Sequence, residues 1–332
     1  MITYNREQIL NNYDYIYNQR QKIENIADDI VLKGFDHLFF TSPGGSYAMM
    51  EPFVFFIKYL SNIQATGMLA ADYLCLGNND ITKDSVAFIS SKSGDSQETI
   101  DAVHKLKEKG VRIVGVFGKE NSILQDLSDD YIIYKDGRPQ ELVFFLLIFR
   151  ILNKKGFFPK YEQFANELKG FGLDLCDARE LADEKCLEYS KKACQVGYNI
   201  WIGSGELWPV TYAYAMCVLE ESQWLQTKSV KSSEFFHGTV ELIEKDTFVS
   251  LVLAEGPTRS QDERVKNFLS KYNENYTCFD SKDYPTPHIS NEFRWIVSIA
   301  LMNAVLQRIS KNIEVINNHD LTIRRFYRTV KY

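Results

Sequence analysis

Serines, a glycine and a lysine crowd into one short loop of this 332-residue chain, Ser90-Ser91-Lys92-Ser93-Gly94-Asp95-Ser96. Apolar Val86 to Ile89 precede it, as in a buried parallel strand. Glu98, Thr99, Ile100, Val103 and Leu106 follow with the spacing of an amphipathic helix that ends at Gly110. A hydroxyl loop at a helix N-terminus offers N–H and O–H donors at the positive end of the dipole, so it suits a phosphate. Gly94 allows the tight turn, and Ser91, Ser93 and Ser96 each supply a donor. An ordinary serine-rich turn with an N-cap has the same letters, but hydroxyls at this density favour the phosphate.

The second chemical stretch lies past the middle of the chain. Val210, Tyr214, Cys217, Val218, Glu221 and Leu225 fall on one stripe at three- and four-residue steps, which points Glu221 inward. An isolated buried carboxylate has a raised pKa and suits a general base near neutrality. Glu220 sits about 100° round the helix and is read as the solvated neighbour. The competing reading pairs Glu221 with a buried arginine or lysine. Downstream, Glu234 and His237 precede Gly238 in the polar-aromatic segment SSEFFHGTVELIEKD. A loop histidine either exchanges protons on a substrate oxygen or is a surface residue.

These groups need a scaffold, and the pattern supplies one. A leading helix is expected over 4–32, then a strand and glycine loop in HLFFTSPGGSY, His37 to Tyr47, with a helix from Ala48 to Leu60. A short strand is expected at Asp72–Leu76, further strands at Val111–Gly118 and Tyr131–Tyr134, and helices at Ile123–Leu127 and Gln140–Leu152. Alternating strands and helices imply an α/β fold with a parallel sheet covered on both faces. After a long helical region from Tyr161 to Ala193 the plan repeats. GYNIWIGSGELWP at Gly197 to Pro209 matches the first strand and glycine loop, a helix follows over Val210–Leu225, and a strand over Phe248–Leu253. Tyr276–Phe279 matches the Val111 strand, and Phe293–Ile309 is a late helix. Gly256 follows Gly94, and Phe248 follows Val86, at one offset, which implies duplication. The second loop, Ala254-Glu255-Gly256-Pro257-Thr258, has lost its serines and gained an acid, so only the first copy is expected to hold phosphate. The domains are expected at 1–158 and 159–332.

A net charge of −6 opposes non-specific nucleic-acid binding and gives no sign of a membrane surface, so the expected partner is small. Six cysteines without a CxxC pair, and no signal peptide or long apolar span, imply reduced thiols and a cytoplasmic location. The five histidines show no zinc-ligand spacing. No metal and no other cofactor is expected.

The SSKSGDSQET loop, the internal duplication, and Glu221 with His237 in EFFHG together resemble the sugar-isomerase (SIS) family. Within it the chain is similar to the isomerase half of glucosamine-6-phosphate synthase, and more so to the bacterial fructosamine-6-phosphate deglycases. The resemblance implies two tandem SIS subdomains, each a three-layer αβα, flavodoxin-like unit. It implies that Ser91, Ser93 and Ser96, with the backbone at Lys92, grip a sugar phosphate, that Gly45 and Ser46 line the sugar, that Glu221 moves the carbon-bound proton, and that His237 assists ring opening. It further implies a homodimer or larger homo-oligomer with shared sites. Where the synthase tail carries a Schiff-base lysine, IRRFYRTVKY places Arg328, an always-protonated guanidinium that cannot be that nucleophile. A substrate already carrying its amine on C1 needs no such lysine, so the reading is a deglycase of 6-phosphorylated fructosamines such as fructoselysine 6-phosphate. Lys92, Glu234, Arg324, Arg325 and Arg328 are candidates for the amino-acid end. The alternatives are an isomerase or deaminase of amino-sugar phosphates and a non-catalytic sugar-phosphate sensor. The absence of a basic recognition helix weighs against the sensor.

Overall fold

Strands β1 (Leu38–Ser42), β2 (Ala65–Leu69), β3 (Val86–Ser91), β4 (Arg112–Phe117) and β5 (Asp130–Ile133) pair in the order β2-β1-β3-β4-β5, all parallel. β1 and β3 are buried along their whole length, as strands sandwiched between helices must be. The helices are α1 (Arg6–Tyr17), α2 (Arg20–Lys33), α3 (Gly44–Leu60), α4 (Ala70–Leu76), α5 (Gln97–Glu108), α6 (Ile123–Leu127) and α7 (Gln140–Lys154). Phe53 and Phe56 of α3 meet Phe144, Phe145 and Phe149 of α7 with ring centroids 5.2 to 5.6 Å apart. An edge or offset geometry at that spacing adds about 0.5–1.5 kcal/mol per pair to the area buried. A second cluster joins Phe39, Ile89 and Ile113 to Val103 and Leu106 of α5.

The computed structural model describes residues 1–135 and 140–331. Its contacts divide it into two units, Arg6–Gly172 and Met1–Asn5 with the chain from Leu173 onward, and the division falls inside α8 (Tyr161–Ala193). The second unit carries β6 (Asn199–Gly203), β7 (Thr227–Lys231), β8 (Val249–Leu253) and β9 (Tyr276–Asp280) in the order β7-β6-β8-β9, again all parallel. Its helices are α9 (Trp208–Tyr212), α10 (Glu221–Gln223), α11 (Ser232–Phe235), α12 (Arg259–Tyr272) and α13 (Arg294–Ile316), with an eight-residue π-helical segment, Ala213–Glu220, between α9 and α10. Trp201 of β6 is fully buried among Tyr189, Tyr214 and Phe279. First strand beside third recurs in both sheets, Leu38 opposite Val86 and Ile200 opposite Val249, so the duplicated α/β plan is physical.

Three expectations are corrected. The leading helix is broken at Asn18–Gln19, where the Gln19 side chain donates to Tyr15 O and Ile133 O and the chain restarts as α2. Asp72–Leu76 is helix, and the strand lies earlier, at Ala65–Leu69. The helix expected over Val210–Leu225 ends at Gln223 and is not one α-helix, because the π segment lies within it. No described helix is long and apolar enough to cross a membrane.

Candidate active site

In the first unit strand order reverses between β1 and β3, and a doubly wound sheet opens a crevice at the carboxyl ends of such strands. The two ends are tied together: Ser42 Oγ donates to Ser90 O at 2.8 Å and accepts from Ser90 N at 3.0 Å. α3 starts directly after β1 at Gly44, whose φ of +48° suits glycine, and Gly45 and Ser46 occupy its first turn, partly exposed. From β3 the hydroxyl loop runs to Ser96 at the N-cap position of α5, so the loop stands at the positive end of a twelve-residue helix.

Ser91 is buried, and its Oγ accepts from Gly94 N at 3.0 Å and lies 3.5 Å from Ser96 Oγ. Ser93 Oγ donates to Asp95 Oδ1, while Lys92 is exposed. The loop is clamped from β4 and α6 by Gly118 N to Ser91 O at 3.1 Å and Leu124 N to Gly94 O at 3.1 Å. Gly94 has φ +69°, and a Cβ there would stand 2.3 Å from the Ser122 side chain, so both conformation and space demand glycine. Thr41, Ser90 and Thr99 around these strand ends carry buried hydroxyls with no partner among the described residues.

In the second unit Glu221 is neither isolated nor fully buried, which corrects the stripe reading. Its Oε1 accepts from Arg324 Nη2 at 2.7 Å and Nε at 3.0 Å, with 32% of the glutamate and 21% of the arginine side chain exposed. The π segment is one cause: residues buried along it and α10 are Tyr214, Ala215, Leu219, Ser222 and Gln223, whereas Cys217, Val218 and Glu221 are not. A wider turn shifts the buried face away from three- and four-residue steps. Glu220 is held separately, accepting from Thr227 Oγ1 at 2.5 Å.

The chain after α13 folds onto this helix end. Trp224, with a left-handed φ of +57°, receives the Arg325 guanidinium 3.8 Å above its ring and the His319 ring edge-on at 4.2 Å. Gln223 Nε2 donates to His319 O at 2.8 Å. Arg328 lies further along, with φ +60° and its guanidinium 5.8 Å from the Tyr327 ring, so the tail arginine on Glu221 is Arg324. Glu234 and His237 share one turn, His237 N donating to Glu234 O at 2.9 Å, and both are exposed.

The counterpart crevice of the second unit is filled from within. Glu206, fully buried after β6, accepts from Gly256 N at 2.8 Å in the loop that follows β8. Burial, with the nearby Asp262 and Glu255, raises its pKa to about 7. Burial likewise raises Asp262 to about 6, although its carboxylate accepts from Ser232 Oγ and Ala254 N. The acid seen in the second loop, Glu255, pairs with Arg294 at 2.8 Å. Sequence reading missed Glu206; its only signal was an acid directly after the GSG turn.

Residues 32–149, which span the doubly wound unit with the hydroxyl loop at its switch point, match the model of the SIS domain. Over its length it is similar to fructosamine deglycase FrlB of Bacillus subtilis, 24% identical over 321 residues that cover 94% of this chain and 97% of that protein. It is also similar to fructoselysine 6-phosphate deglycase of Escherichia coli, 20% identical over 306 residues covering 91% and 88%. Among solved structures, a candidate phosphosugar isomerase from Bacillus subtilis superposes with a TM-score of 0.90 at 23% identity, covering 94% of this chain and 97% of that one.

Proposed function

We propose that this chain is a fructosamine-6-phosphate deglycase that converts a 6-phosphorylated fructosyl amino acid and water into glucose 6-phosphate and the free amino acid. One observation carries the reading: the Bacillus subtilis deglycase aligns with 94% of this chain over 97% of its own length. In this reading the phosphate rests on the loop of Ser91, Lys92, Ser93 and Ser96, and Gly45 and Ser46 line the sugar. Their place beside a switch point and a helix N-terminus supports both roles.

The chemistry is a proton shift followed by hydrolysis. His237 assists ring opening, and Glu221 removes a proton from C1, with the electron pair passing toward C2 to give an enolamine. Reprotonation at C2 leaves an imine between C1 and the amino-acid nitrogen. Water adds to C1, the C1–N bond breaks, and the nitrogen leaves as the free amine. No electrons are exchanged with an outside acceptor. His237, exposed in the single chain, serves the site of a second copy in a homodimer or larger assembly. Arg328, unlike a lysine, cannot form a Schiff base, in keeping with an amine that arrives on the substrate.

The test is product identity. A 6-phosphorylated fructosyl amino acid should give glucose 6-phosphate, read with a coupled dehydrogenase, and amino acid in equal amounts, whereas fructose 6-phosphate with ammonia should be inert. Release of fructose 6-phosphate would remove the C1-to-C2 proton shift and Glu221's role with it.

A further inference from the structure

The tail arginine on Glu221 is held by more contacts than an incidental surface pair. Arg324 Nη1 donates to Leu321 O at 2.7 Å and Ile323 O at 2.9 Å, so the guanidinium is fixed by its own turn before it reaches Glu221. Nε and Nη2 then converge on one glutamate oxygen, Oε1. Among the described residues no donor meets Oε2, which is left for the proton that the base takes. Of the five guanidinium hydrogens four have acceptors, and one on Nη2 has none among the described residues. Arg325 on Trp224 and Gln223 on His319 O hold the same turn in place.

We infer that Arg324 is the residue that reads the leaving group, binding the α-carboxylate of the amino acid through its remaining Nη2 hydrogen and making the site selective for fructosamines linked through the α-nitrogen. The inference rests on the deglycase reading and deepens it. Glu221 must lie against C1 to take its proton. In an α-linked substrate the carboxylate carbon stands only three bonds from C1, through nitrogen and Cα, so it comes within one guanidinium's width of the base. In a substrate linked through the ε-nitrogen of lysine the count is seven bonds, which carries the carboxylate beyond a cation held against Glu221. Arginine suits the task because its planar fork serves two carboxylates at once and keeps its charge at every working pH. A lysine would give a single point of charge.

The experiment compares three substrates: a 6-phosphofructosyl α-amino acid, the corresponding alkylamine adduct without the carboxylate, and the adduct on the ε-nitrogen of lysine. Wild-type kcat/KM should favour the first by about tenfold to a hundredfold, the span of a charge-assisted hydrogen bond, with the difference mainly in KM. In Arg324→Gln the ratio between the first two should fall toward one, whatever happens to the absolute rates, and Arg324→Lys should restore part of it. An unchanged ratio in Arg324→Gln overturns the inference, because a merely structural tail contact would slow all three substrates alike. If the variants fail to fold, equal wild-type rates on the three substrates overturn it as well. Wild-type protein that turns over none of them removes the deglycase reading itself, an outcome distinct from turnover without preference.

Discussion

Replacing Glu206 with glutamine removes a titrating group while keeping the shape and the oxygen that accepts from Gly256 N. The native carboxyl holds its proton up to a pKa of about 7, against an ordinary value of 4.5. Between those two values the folded chain binds a proton that the unfolded chain has released, so stability must fall as pH rises through that window. At 1.36 kcal/mol per unit the full loss is about 3 kcal/mol, and about 2 kcal/mol of it falls between pH 5 and pH 8. Asp262, raised in the same direction to about 6, contributes mainly at the acid end. The glutamine variant lacks the Glu206 share, so its advantage over wild type should grow by about 2 kcal/mol from pH 5 to pH 8. That is about 1 M in urea midpoint for a slope of about 2 kcal/mol per M. Tryptophan fluorescence is the apt probe, because all four tryptophans, Trp201, Trp208, Trp224 and Trp295, belong to the unit that contains Glu206. Midpoints that run parallel across this pH range would refute the idea that a buried acid fills the second crevice in its protonated form.

Three further outcomes follow from the candidate site. Glu221→Gln should lower deglycase turnover by about two to four orders of magnitude, the usual share of acid–base catalysis, and a loss below tenfold removes it as the base. Alanine at both Ser91 and Ser93 should weaken glucose 6-phosphate binding at least about a hundredfold by calorimetry, since two donors to a charged phosphate are lost; unchanged affinity would place the phosphate elsewhere. Mixing inactive Glu221→Gln and His237→Ala chains under subunit exchange should restore part of the activity, and a mixture that stays inactive despite demonstrated exchange removes the shared site.

Much of the fold was legible because it rests on local pattern. β3 and β4 carry apolar residues on both faces, and α8 was read to its residue limits. The edge strands β2 and β7 escaped notice for a physical reason: half-exposed, with Thr66 and Gly67 in one and Lys228 and Ser229 in the other, they have no apolar run to betray them. The segment Asp72–Leu76 was misread because Tyr73 is buried while Leu76 is 79% exposed, a one-sided helical pattern too short to separate from strand. At the candidate site the serine loop, its glycine and the paired β1 loop were visible as residue types. The arginine on Glu221 stands 103 positions away and is joined to it only by tertiary folding. Glu206 was invisible because a buried acid and a surface acid are the same letter.

The π-helical run from Ala213 to Glu220 bears on how this helix can change over evolution. Such a run holds one residue more than an α-helix needs to cover the same path. Losing a single codon within the run would remove that surplus and return the segment to ordinary winding, while the residues on either side, Glu221 among them, keep their places. The wide turn can then be gained or lost by an in-frame insertion or deletion without displacing the carboxylate that meets Arg324.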